Sequence, residues 1–273
     1  MTEKKTNQKK ERSKVLTFPI PSVLGVVKEN ITINTSSSLS KEQIIQQAFK
    51  YHSQGNIVEA SKYYQKFITA GFSDPNIYSN YAIILNELGQ SKEAESYIRK
   101  AIKIKQDSAI FYANLGNIMS DLGDLKEAEL SIRKAIKLKP NFAQAYSNLG
   151  SIMIEVGNSE EAELSLRKAI QIKPDLSEAH SNLGKILKDV GNLKEAELSL
   201  RKAIELNPLV INAHLNLGAL LIEIDKLKEA EASTRLAIKQ NPKLPEAYLN
   251  LGEILSKASR NCEDISKLEE AKI

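Results

Sequence analysis

The sequence contains no tryptophan, one cysteine and few aromatic residues, and each shortage narrows what the protein can be. Cys262 is the only cysteine, so the chain can form neither an internal disulfide nor a site of clustered thiolates. Such cysteine usage is typical of the reducing cytoplasm, where we expect the protein to work. Because aromatic residues make up only 5% of the chain, its core must rely on Leu, Ile and Ala, which favours packing of helix against helix.

Long apolar runs and sequence motifs of catalysis are also missing. No stretch approaches the roughly 20 apolar residues of a membrane-spanning helix, so we expect no membrane insertion. The sequence has no phosphate-binding loop, dinucleotide fingerprint, nucleophile elbow or paired metal-ligand motif. We therefore expect no catalytic site, no cofactor and no metal.

The positive charge is confined to the amino-terminal end. Residues 1–40 carry seven basic and three acidic residues, which accounts for the whole net charge of +4. The remainder is neutral, with both signs interspersed, unlike a nucleic-acid-binding surface. Residues 1–40 also lack helical periodicity, so we predict a basic, largely disordered segment, within which residues 18–27 could alternatively cap the first repeat.

A pattern of 34 residues repeats along the rest of the chain. Each copy has a Leu-Gly pair, a second glycine seven residues later, a Lys-Glu-Ala or Glu-Glu-Ala triplet, and usually a final proline. The Leu-Gly pairs are Leu115-Gly116, Leu149-Gly150, Leu183-Gly184, Leu217-Gly218 and Leu251-Gly252. Weaker copies lie upstream, which gives six repeats over residues 41–244: 41–74, 75–108, 109–142, 143–176, 177–210 and 211–244.

Each repeat is predicted to form two amphipathic helices joined by a tight turn. In residues 143–176, Gly157 ends the first helix, and Asn158 caps the second with Glu161 as its capping-box partner. Small residues allow the two helices to approach closely. The apolar stripes comprise Tyr146, Leu149, Gly150 and Met153 on the first helix, and Ala162, Leu166, Ala169 and Ile170 on the second.

These residues resemble the tetratricopeptide repeat (TPR) family, particularly its bacterial members. The resemblance covers residues 41–273 and implies an all-α fold: an α-solenoid in which stacked helix-turn-helix hairpins form a right-handed superhelix. It also implies a non-catalytic scaffold that binds an extended peptide or a partner's helix in its concave groove. Many bacterial proteins of this kind join the array to a sulfo-, glycosyl- or methyltransferase, so a substrate-recruiting part or accessory subunit of a transferase is the alternative.

Six asparagines recur at the sixth position of successive repeats, on the groove side that the resemblance implies. An Asn amide both donates and accepts, so a ladder of them could bind a peptide backbone whatever its side chains. The ladder resembles that of the O-linked N-acetylglucosamine transferase repeats. The alternative is that each Asn bonds to a neighbouring repeat and serves packing alone. The ladder comprises Asn80, Asn114, Asn148, Asn182, Asn216 and Asn250.

Other groove positions give weaker indications. The thirteenth position is mostly acidic, as at Glu155, Asp189 and Glu223, which could favour a basic segment. No lysine occupies the fifth position of any repeat, so the carboxylate clamp of chaperone-binding repeats is absent. His180 and His214 occupy the aromatic packing position and are interpreted as core residues.

The carboxyl-terminal end departs from the pattern. A seventh repeat begins at Pro245, but Ser259 stands where the second glycine belongs. The segment that ends with the Glu-Glu-Ala triplet occurs at residues 266–271, seven residues later than the 34-residue period requires. We predict that residues 245–273 form a partial or capping repeat, either as an irregular cap or because the chain is a fragment, and that self-association could occur through it.

Overall fold

The computed structural model describes residues 39–270, with side chains described for residues 39–260. Within this part the backbone forms thirteen α-helices and no strand, so the predicted all-α class is confirmed. The helices divide into two compact units, one ending at Pro140 and the other beginning at Asn141. Apart from Leu39 and Ser40, the predicted amino-terminal segment lies outside the described residues, including the candidate cap at residues 18–27.

The two units contain six and seven helices within the described residues. The six-helix unit comprises α1 (Lys41–Ser53), α2 (Ile57–Thr69), α3 (Pro75–Glu87), α4 (Ser91–Ile104), α5 (Ala109–Leu122) and α6 (Leu125–Leu138). The seven-helix unit comprises α7 (Ala143–Val156), α8 (Ser159–Ile172), α9 (Ser177–Asp189), α10 (Leu193–Leu206), α11 (Ile211–Glu223), α12 (Leu227–Gln240) and α13 (Pro245–Glu270).

Successive helices pack as antiparallel hairpins that stack on one another. In the seven-helix unit, α7 packs on α8, α9 on α10 and α11 on α12. The first helix of one hairpin also contacts the first helix of the next, as α9 does with α7 and α11. This arrangement is an α-solenoid, in which each hairpin covers the apolar face of its neighbour.

The turn between α7 and α8 follows the sequence prediction except in one hydrogen bond. Gly157 adopts a left-handed conformation with φ of +85°, and the side chain of Asn158 accepts a bond from the Glu161 backbone N–H. The reciprocal bond of a capping box is absent, because the Glu161 carboxylate accepts instead from the Asn158 amide at 3.3 Å. A complete capping box forms at α1, between Ser40 and Gln43.

The two helices of a hairpin touch at glycine, as the small residues predicted. A Cβ atom added at Gly150 would lie 2.6 Å from Cγ of Leu166 and 3.3 Å from the carbonyl oxygen of Ala162. Ala162 and Ala169 are fully buried on the facing helix. The identity of these small residues therefore fixes the separation of the two helix axes.

Helix α13 is a single continuous helix of 26 residues, so its backbone makes no turn at Ser259. The helix continues through the residues up to Glu270, where the sequence left open an irregular cap or a fragment. Its inner side packs on α11 and α12, where Ala247 and Ile254 are buried. No second helix of the described chain covers its other side.

Candidate functional site

In the six-helix unit, two of the predicted groove asparagines are buried. Asn80 and Asn114 are each 1% exposed. The Asn114 amide donates to the hydroxyl oxygen of Ser79 across 3.1 Å, which ties α5 to α3. The Asn80 side chain lies beside the hydroxyl of Tyr64 on α2, close enough to affect the pKa of that hydroxyl. In this unit the ladder residues therefore contribute to packing between hairpins, which is the alternative to peptide binding given above.

In the seven-helix unit, the ladder changes from buried to accessible along the chain. Asn148 is buried on α7, where its oxygen accepts from the Gln144 amide at 3.0 Å. Asn182, Asn216 and Asn250 are half-buried. The Asn182 amide donates to the Ser151 hydroxyl on the preceding first helix at 2.9 Å.

The last two asparagines of this unit differ in their hydrogen bonds. The Asn250 amide donates to the Leu215 backbone carbonyl at 3.3 Å, which joins α13 to α11. Asn216 forms no side-chain hydrogen bond within the described part of the chain. It keeps a donor and an acceptor free on a half-buried side chain. Leu249, which immediately precedes Asn250, is 72% exposed.

The acidic positions that end the first helices are exposed in this unit. Glu155, Asp189 and Glu223 all lie at the surface. Asp189 pairs with its neighbour Lys188 at 3.0 Å. At the corresponding position of α13 the charge is reversed, and the Lys257 ammonium donates to the backbone of α11. The unit therefore presents carboxylates on three successive first helices.

The aromatic packing position has a second role that sequence reasoning missed. On three successive first helices, the polar tip of this residue reaches the carbonyl oxygen of the proline six residues before it. The signal available in the sequence was that these side chains all have a polar tip. The pairs are His180 with Pro174 at 2.9 Å, His214 with Pro208 at 2.9 Å, and Tyr248 with Pro242 at 3.1 Å.

A ladder of ion pairs connects the second helices of successive hairpins. Arg167 on α8 pairs with Glu163 on its own helix at 3.0 Å and with Glu195 on α10 at 2.7 Å. Its hydrogen bond holds the pKa of Glu195 below the usual value. Arg201 repeats the arrangement one hairpin later. Because these side chains keep between 18% and 53% of their surface exposed to solvent, each pair contributes little to stability.

A half-buried histidine in the first hairpin contacts a buried tyrosine. Nδ1 of His52 is 2.9 Å from the hydroxyl of Tyr64, which is fully buried. Burial lowers the pKa of His52 and strongly raises the pKa of Tyr64. The pair therefore stabilises the hairpin in its neutral form.

Comparison with known families agrees with the stacked hairpins. Residues 27–259 match the family described as the cilia and flagella-associated protein 70 C-terminal domain, which is a TPR domain. The chain belongs to this family. The predicted TPR identity is thereby confirmed. The likeness of the asparagine ladder to that of the O-linked N-acetylglucosamine transferase repeats stays a prediction.

Solved structures similar to this family member share its fold. A chain of the APC/C hetero-tetramer Cut9–Hcn1 has a TM-score of 0.73 at 17% identity, over 79% of this chain and 43% of that one. PilF of Pseudomonas aeruginosa has a TM-score of 0.64 at 16% identity, over 78% and 97%. TTC0263 of Thermus thermophilus has a TM-score of 0.59 at 20% identity, over 67% and 99%. At these identities the likeness concerns the fold alone.

No curated protein matches this family member at a significant level. Among the described helices, none combines the length and the apolar character needed to cross a membrane.

Proposed function

We propose that the chain is a non-catalytic scaffold that binds an extended segment of a partner protein along the first helices of the seven-helix unit. The observation that carries this proposal is the free, half-buried amide of Asn216. A polar side chain that is partly withdrawn from water and has no partner gains more from a ligand hydrogen bond than a fully solvated one does. Asn182 and Asn250 are the half-buried residues at the same position of the adjacent hairpins.

The hydrogen bonds within the unit favour a peptide backbone as the ligand. Asn182 and Asn250 each direct the amide nitrogen to the preceding hairpin. These bonds hold the two side chains in place, so their oxygens remain as acceptors for a backbone N–H. Asn216 is able to donate and accept at the centre of the three. Such a site binds the backbone groups of a peptide, whereas the neighbouring side chains determine which peptide sequences bind.

Side chains near these asparagines favour a particular partner chemistry. Leu249 and the half-buried Leu215 provide apolar surface beside the amides. The exposed carboxylates of Asp189 and Glu223 lie at the ends of α9 and α11, and that of Glu155 lies at the end of the preceding first helix, α7. An extended segment that combines apolar residues with Lys or Arg is therefore the ligand class that we propose, acting in the cytoplasm.

Peptide display tests the proposal directly. The intact chain is used to select binders from a library of random peptides, and affinities are measured by fluorescence anisotropy. Asn216→Ala should weaken binding roughly fivefold, because one hydrogen bond contributes about 1 kcal/mol. Methylating single backbone nitrogens of the peptide should weaken binding at a few positions, and one of these losses should disappear in Asn216→Ala.

The matched control is Asn192→Ala, which removes an exposed amide from the turn before α10 and should leave affinity unchanged. Circular dichroism verifies that both variants keep their helix content. If selected peptides bind Asn216→Ala as tightly as the unaltered chain, and backbone methylation has no effect, the groove does not read peptide main chain.

A further inference from the structure

The outward side of α13 is uncovered at the positions that are buried in every preceding first helix of its unit. Leu255 is 51% exposed, whereas Leu221, its counterpart on α11, is 1% exposed. A Cβ atom added at Gly252 would meet nothing within 4 Å, whereas one at Gly218 would lie 2.5 Å from Thr234. Within residues 39–270, the positions that receive a second helix elsewhere therefore have no such helix here.

The residues of this uncovered side are apolar or small, and in the sequence the same spacing continues past the end of the repeat pattern. Apolar or small residues follow one another at alternating spacings of three and four, the spacing of a helix-pairing seam. Charged residues do not interrupt this series, although 26% of the chain is charged. The series consists of Tyr248, Leu251, Leu255, Ala258, Cys262 and Ile265.

The helix itself extends the series, because α13 continues to Glu270 without a turn. Its first half, up to about Ser259, is the part that needs a covering helix. Its second half continues the apolar series in sequence and cannot fold back onto the first half while the helix is continuous. In a pair of copies, the second half of each α13 can cover the first half of the other. Both the uncovered first half and the apolar series of the second half then have a partner.

We propose that two copies of this chain associate by pairing their α13 helices in antiparallel orientation. The uncovered stretch is centred near Gly252 and the continuing stretch near Ile265, so reciprocal covering places the two-fold axis beside Ala258 and Ser259. Small residues at the crossing allow close approach of the helix axes. Leu255 of one copy then lies opposite Cys262 of the other.

The residues that flank the seam are consistent with pairing between identical helices. One flank carries Gly252 and Ser259, followed in the sequence by Ser266, and none of these is charged. Like charges therefore do not face each other across the axis. Lys257 is directed elsewhere, because its ammonium bonds to the Ile222 carbonyl and pairs with Glu253.

Sedimentation over a range of concentrations tests the association. The full chain should form a dimer, and Leu255→Lys should raise its dissociation constant at least tenfold by placing a charge in the seam. Leu249→Lys is the matched control, because Leu249 is a more exposed leucine of the same helix outside the series, and it should leave the constant unchanged. A monomeric full chain at all concentrations, or equal effects of the two variants, would overturn the proposal.

Disulfide formation tests the orientation. Under mild oxidation, Leu255→Cys should yield a covalent dimer through the native Cys262 of the second copy. In a Cys262→Ser background, Ala258→Cys should still cross-link, since it lies at the axis, whereas Leu255→Cys should not. Cross-linking of Leu255→Cys in that background indicates parallel helices and contradicts the proposed arrangement.

The dimer seam is separate from the proposed peptide groove. Leu255→Lys should therefore keep the peptide affinity of the unaltered chain, while Asn216→Ala should keep its dimerisation constant. Failure of one proposal is thus distinguishable from failure of the other.

Discussion

Nε2 of His214 lies 2.9 Å from the carbonyl oxygen of Pro208, six residues earlier in the chain. The same oxygen accepts a hydrogen bond from the Gln240 amide at 3.2 Å. Pro208 thus ends one hairpin, and its carbonyl is held by the first and the second helix of the next. The histidine consequently occupies the aromatic packing position and also ties α11 to the end of the preceding hairpin.

Replacing His214 with Phe should separate these two roles. The ring is retained, but the Pro208 carbonyl loses one of its two donors, so we expect the free energy of unfolding to fall by about 1 kcal/mol. His214→Tyr should lose less, because Tyr248 shows that a tyrosine hydroxyl reaches the equivalent carbonyl. Urea unfolding followed by circular dichroism measures both. Equal midpoints for the two variants would show that the hydrogen bond contributes nothing.

A pair of glycines offers a matched test of helix contact. Gly150→Ala places a methyl group 2.6 Å from Leu166, so the helices must separate, at a cost of about 1–3 kcal/mol. Gly252→Ala meets no atom and should stabilise α13 by up to about 1 kcal/mol through better helix propensity. The second variant is best measured in the Leu255→Lys background, which removes pairing between copies. Urea midpoints that shift in the same direction would contradict this contrast.

The hairpins could be predicted from the sequence because local signals agree with the tertiary packing. Gly157 marks the helix end, Asn158 the following cap, and Gly150 the contact between helices. The helix end, the cap and the helix contact each depend on a few residues within one repeat, so the repeat pattern determines them. Stacking then follows, because a hairpin cannot cover its own apolar face.

The accessibility of the asparagine ladder could not be predicted in the same way. Asn80 and Asn216 occupy the same position of their repeats, yet one is buried and the other half-buried with a free amide. Neighbouring side chains cause the difference: Tyr64 packs beside Asn80, and no tyrosine occupies the corresponding position of the hairpin before Asn216, which carries Leu200. Such contacts depend on side chains from adjacent helices, which a repeat consensus does not specify.

Asp225 occupies a turn position that carries glycine in the preceding repeats. It is the only described residue other than glycine with positive φ, at +59°. Left-handed backbone costs an L-amino acid energy that glycine avoids, although aspartate tolerates it better than most. Asp225→Gly should therefore stabilise the chain by roughly 0.5 kcal/mol, a gain reduced by the greater freedom of glycine when unfolded. Thermal unfolding by calorimetry should show a higher transition temperature.

The control for this turn is Gly191→Ala, which introduces a side chain at φ of +83° and should destabilise the chain by about 1 kcal/mol. If Asp225→Gly lowers the transition temperature while Gly191→Ala also lowers it, the aspartate side chain must form a stabilising interaction that outweighs its backbone cost.

The contact of half-buried His52 with buried Tyr64 should make the first hairpin sensitive to acid. Burial lowers the folded-state pKa of His52 below its usual value of 6.5. A lowered histidine pKa means that the neutral ring stabilises the fold above pH 6.5, and that this stabilisation is lost as the pH falls below it. Protonation also places a hydrogen on Nδ1, so the buried Tyr64 hydroxyl can no longer donate to it.

Hydrogen exchange at pH 7.5 and 5.5, corrected for the intrinsic rate, measures this effect. Protection of α1 and α2 should fall at the lower pH, while α5 and α6, whose sequences contain no histidine, should keep theirs. His52→Phe retains an aromatic ring but cannot titrate, so its first hairpin should exchange at similar corrected rates at both pH values. Persistence of the acid-induced loss of protection in His52→Phe would contradict this prediction. Its cause would then be a group other than histidine, because His52 is the only histidine in the sequence of the six-helix unit.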